Sequence, residues 1–139
     1  MDKKFIFQDE IVETIYFPDI FLVENKWLKK IAFQQDIYRS TFMRVIDFAR
    51  ENRVDFFLSD IRNQGVVPTS EKNWFKDVVL PLAVEVGVKY GAVITTGNVF
   101  KTYYMNAIIK VGNVFDLPIK LFTDREKAVN WLVNHKIIK

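Results

Sequence analysis

Asp60, Arg62 and Asn63 stand directly after the apolar run Phe56-Phe57-Leu58. A carboxylate placed there can accept hydrogen bonds or take a proton. A guanidinium can clamp an anion through two parallel donors. The end of a central strand is also where open α/β sheets place their ligands. The plainer reading keeps these groups for the protein itself: Asp60 satisfies loop amides and Arg62 pairs with a carboxylate. Thr95-Thr96-Gly97-Asn98 ends a second apolar run. Free amides there could hold an anion, but the glycine spacing of a phosphate loop is absent, and ordinary helix capping is preferred.

The aromatic residues offer a different chemistry. Trp74 and Phe75, with Phe100, Tyr103 and Tyr104, could line an apolar pocket or stack on bases. Their helical spacing makes core packing the preferred reading. His135 is the one histidine. It has no neighbour to orient it as a catalytic base, and it is expected at the surface. These residue types assemble neither a nucleophile–base pair nor a metal set, so no catalytic residue, metal or cofactor is expected. The candidate ligand-binding residues are Asp60, Arg62, Asn63, Trp74, Phe75, Phe100 and Tyr104.

Something must position them. Ile11 to Phe17 and Ile20 to Trp27 alternate as strands around Pro18-Asp19, which suits a hairpin turn. Tyr38, Phe42, Val45, Ile46 and Ala49 form a helical stripe over about Gln35 to Asn52. Asp55 to Ser59 and Tyr90 to Thr95 read as buried strands. Between them a helix opens at Thr69 or Ser70, kinks at Pro81 and closes at Gly87. A third helix ends at Gly112, Pro118 to Phe122 is the last strand, and Thr123-x-x-Glu126 caps a final helix. The predicted order is β-β-α-β-α-β-α-β-α, an α/β fold with a mixed, mostly parallel sheet and helices packed on it. Residues 1–139 are read as a single domain.

That order is similar to the SpoIIAA-like, or STAS-type, fold. The stretch from Phe57 to Val67, with Ser59-Asp60-Ile61-Arg62-Asn63 at its centre, resembles the strand-end loop of one bacterial branch of mostly unassigned function. Trp74, Leu80-Pro81 and Gly87-Val88 resemble the helix and turn that follow. Phe122 to Leu132 resembles the closing helix. The resemblance implies a regulatory or protein-interaction module, with another protein or a second copy of the chain as partner. The wider fold also resembles the CRAL-TRIO lipid-binding fold, which implies a small apolar ligand as the alternative. Phosphoregulated members carry Asp-Ser-Ser-Gly where this chain has Ser59-Asp60-Ile61-Arg62-Asn63, so Ser59 is not expected to be a phosphosite.

Composition narrows the field. The sequence has no cysteine, which excludes disulfides and thiolate chemistry. The 20 basic and 17 acidic residues are interspersed, and a nucleic-acid footprint would be a basic stripe instead. No apolar run reaches the length of a membrane span. A soluble cytoplasmic domain without nucleic acid is the expectation.

Overall fold

The computed structural model describes residues 2–97 and 99–137, with backbone alone at 99–104, 136 and 137. Strands β1 (Lys4–Gln8), β2 (Val12–Phe17) and β3 (Leu22–Trp27) form an antiparallel meander. Strands β4 (Phe56–Asp60), β5 (Tyr90–Ile94) and β6 (Ile119–Phe122) then add in parallel, giving a six-stranded sheet in sequence order. Helix α1 (Gln35–Glu51) joins β3 to β4. Helix α2 (Thr69–Trp74), a π-helical turn (Phe75–Val79) and helix α3 (Leu80–Glu85) join β4 to β5. Helix α4 (Val99–Val114) joins β5 to β6, and α5 (Arg125–Ile137) follows. The α/β class and the mostly parallel sheet are as expected. No helix among the described residues is long and apolar enough to cross a membrane.

Sequential strand order fixes the layers. Right-handed crossovers between adjacent parallel strands put their helices on one face. There Tyr38 and Phe42 of α1, Val79 of the π turn, and Met105 and Ile108 of α4 pack with Trp27 and Val93. α5 follows β6 and covers the opposite face. Its Ala128 and Leu132 meet Leu22, Phe56, Leu58, Ala92 and Ile94. The period-2 alternation of the strands thus sorts their side chains between two different covers.

Several local expectations are corrected. The sheet holds one strand more than the predicted order, because β1 precedes the hairpin. Its Lys-Phe-Ile-Phe-Gln sequence alternates too briefly, and through a register shift between Phe5 and Phe7, to signal a strand. The hairpin turn takes Ile20 and Phe21 as well as Pro18-Asp19, with Phe21 at φ 54. The Arg53 guanidinium stacks on that ring at 4.0 Å. Neither Thr69 nor Ser70 caps α2, which starts after Pro68 without a side-chain cap. Where Pro81 predicts a kink, the chain widens beforehand into the π turn, with the Leu80 amide reaching the Phe75 carbonyl. A π turn re-routes the ladder just where the proline lacks a donor and crowds the carbonyl of the preceding turn.

Gly87 closes α3 as expected, at φ 102, with Val88 N–H on the Ala83 carbonyl at 3.0 Å. Gly112 does not end α4. The left-handed residue there is Asp116, at φ 62, and Gly112 lies inside the helix against the Leu117 carbonyl, where a Cβ would stand 2.6 Å away.

Candidate functional site

Asp60 at the carboxyl end of β4 and Glu24 midway along β3 are two acidic side chains on the α5 face. Glu24 and Asp60 are each 2% exposed. A carboxylate taken out of water is costly unless it is paired and hydrogen-bonded, and both are. Arg125, the first residue of α5, grips Glu24 with Nη2–Oε1 at 2.7 Å and Nε–Oε2 at 3.1 Å. Arg62 returns from the loop onto Asp60 with Nη2–Oδ2 at 2.7 Å and Nε–Oδ1 at 3.0 Å. Its backbone amide also donates to Oδ1, at 3.2 Å. Hydrogen bonding to its own carboxylate raises the pKa of each arginine above the ordinary guanidinium value. The pairs also feel one another, since Asp60 acts on Arg125 and Glu24 on Arg62. Asn63 ties the loop down by donating Nδ2 to the carbonyls of Trp27 at 3.2 Å and Leu28 at 3.4 Å. Bidentate pairing holds both carboxylates in the protein's own structure, as the plainer reading of Asp60 and Arg62 has it.

Trp74 and Phe75 sit on the other side of the sheet. Phe75 packs on Phe42 at 5.0 Å between ring centres, and Trp74 on Tyr38 at 6.1 Å. The Arg39 guanidinium lies over Trp74 at 5.0 Å. An apolar void of about 70 Å³ lies beneath, lined by Phe42, Ser59, Phe75, Met105 and Ile108 among others. Among its described lining residues, Asp60, Arg62, Asn63 and Trp74 do not occur. The structure therefore does not join the polar trio and the two aromatics into one site. The side chains of Phe100, Tyr103 and Tyr104 lie outside the described residues. Ser59 is 6% exposed within β4. His135 is not the surface residue expected. Its ring lies 3.9 Å from Tyr90 and 4.7 Å from Trp131, and Nδ1 donates to the Trp131 carbonyl at 2.7 Å.

Beyond β5 and β6 the strand ends open into a crevice of about 320 Å³ lined by Thr95, Gly97, Leu121, Phe122, Thr123 and Lys127. Thr95 is 1% exposed, and its Oγ1 has no hydrogen-bond partner. Asn98, a candidate cap of α4, lies outside the described residues. Thr123 does not cap α5. Asp124 does, accepting from the Lys127 amide at 3.3 Å, which frees Thr123 to face the crevice. Sequence reasoning missed Glu24, Arg125, Thr123 and Lys127. Glu24 carried a signal, since an acid inside the buried run Leu22-Val23-Glu24-Asn25 calls for a cationic partner elsewhere in the chain. No group of acidic or histidine side chains among the described residues could hold a metal ion. Compared with known proteins, the chain matches no family model, no curated protein and no solved structure.

Proposed function

We propose that this chain is a non-enzymatic regulatory or protein-interaction module of STAS type. The observation that carries this reading is the interior: the aromatics of α1 and the π turn close on one another and leave a void of only about 70 Å³. A pocket for a lipid or other apolar ligand takes a few hundred cubic ångströms. Recognition by a packed module falls to its surface, where Phe5 on the outermost strand is 42% exposed. The α/β class with a mostly parallel sheet is compatible with this reading.

A thermal-shift screen against fatty acids, sterols and isoprenoids tests the reading. No ligand is expected to raise the melting temperature, whereas saturation at a hundred times Kd would add about 2.7 kcal/mol. An upward shift lost in a folded Phe75→Ala variant sinks the interaction reading in favour of the apolar-ligand one. Crosslinking in the native cells supplies the positive arm, with a partner or second copy captured by the wild type and lost in Phe5→Glu.

A further inference from the structure

We propose that the crevice beyond β5 and β6 binds the anionic oxygen group, phosphate or carboxylate, of a small molecule. Four observations converge on it. Thr95 lines the crevice, and its buried hydroxyl has no hydrogen-bond partner. A buried donor without an acceptor costs free energy, and such a group marks a place where a partner belongs. Lys127 lines the same crevice, and no acidic side chain among the described residues lies within ion-pair distance of its amine. Thr123 adds a second hydroxyl, released because Asp124 took over the cap of α5.

Gly97 adds room. It sits at φ 83, and a Cβ there would meet nothing within 4 Å, so the loop backbone leaves open space at the crevice. Leu121 and Phe122 wall the crevice on the sheet side. Apolar walls lower the local dielectric and strengthen the attraction between an ammonium and an anion. The sign of the ligand follows from the lining, which among the described residues offers an ammonium and two hydroxyls but no carboxylate. The crevice volume, about 320 Å³, lies within the range of small-molecule sites. Its position off the carboxyl ends of parallel strands is where open α/β sheets bind ligands.

Amide NMR titrations with inorganic phosphate and with acetate, at ionic strength matched by chloride, test the site. Saturating shifts are expected at Thr95, Gly97, Thr123 and Lys127 with at least one of the two anions. Saturation by both marks a general oxyanion site, and saturation by one alone identifies that head group. Lys127→Met and Thr95→Val should each weaken binding roughly tenfold, the effect of losing one hydrogen bond to a charged group. Chloride-like, unsaturated shifts with both anions overturn the proposal. So do saturating shifts that both variants leave unchanged.

Discussion

Neighbouring strands of one sheet are finished in two ways. On β3 and β4, Glu24 in mid-strand and Asp60 at the strand end are buried and each is held by a bidentate arginine. At the ends of β5 and β6, Thr95 is as deeply buried but its hydroxyl has no partner, and Lys127 lines the same crevice. The first end spends its polar groups on stability; the second leaves them for something else. The difference lies in where α5 begins. Arg125, its first residue, turns back to Glu24, while Lys127, in the same first turn, lines the crevice.

The largest effect should come from opening the closed end. Arg125→Ala leaves the Glu24 carboxylate buried without its cation, which is expected to cost about 3 kcal/mol. Breaking a buried pair costs about 3–5 kcal/mol in general, and the 42% exposure of the Arg125 side chain holds the figure at the lower limit. Lys127→Met, two residues along the same helix, should change stability by less than about 0.5 kcal/mol. Urea denaturation of the two variants compares the ends directly. Equal losses would erase the distinction between them.

A third buried carboxylate shows that the closed finish is not confined to strand ends. Glu71 of α2, 1% exposed, is held by Arg39 at 2.8 and 3.0 Å and by Gln35 of α1. The Arg39 hydrogen bonds keep its carboxyl below the usual value of 4.5. The folded state therefore binds a proton less readily than the unfolded chain. Its contribution to stability is complete above about pH 4.5 and is lost as pH falls through the lowered folded value. Urea midpoints followed downward from neutral pH should fall more steeply for the wild type than for Glu71→Gln. Parallel curves would mean that the pair adds nothing that titrates.

Much of this architecture is legible in the sequence, because period decides it. The stripe Tyr38-Phe42-Val45-Ile46-Ala49 and the apolar runs Phe56-Phe57-Leu58 and Ala92-Val93-Ile94 locate α1 and two central strands. What the sequence hides depends on contacts distant along the chain. Gly112 reads as a helix stop, yet its role is the close approach of Leu117. Thr123-x-x-Glu126 reads as a capping box, yet Asp124 one residue later wins the cap. Asp60 and Arg62 announce their pairing, being neighbours, but Glu24 and Arg125 are 101 residues apart and meet only once the sheet is wound. The void is hidden for the same reason, since aromatic spacing locates a buried face without saying how completely it closes.

The smallest effect is the one that most sharply separates the two strand ends. Thr95→Val keeps the shape of the side chain and replaces the hydroxyl by a methyl group. If Oγ1 has no partner, the wild type carries the cost of a buried, unmade hydrogen bond, and the variant sheds it. Thr95→Val is then expected to stabilise the free protein by about 1 kcal/mol, the opposite sign to Arg125→Ala. Thr95→Ser is the control: it keeps the orphaned hydroxyl, loses a buried methyl group, and should destabilise by about 1 kcal/mol. The pair of signs matters more than either size. A bridging water in the crevice would satisfy Oγ1 as fully as Arg125 satisfies Glu24. Thr95→Val would then destabilise, because removing one partner of a made hydrogen bond leaves the other unpaired. Thermal unfolding of the three proteins without added anion reads the sign directly. Destabilisation by Thr95→Val would show the β5 end to be closed by solvent, so that both ends follow one rule.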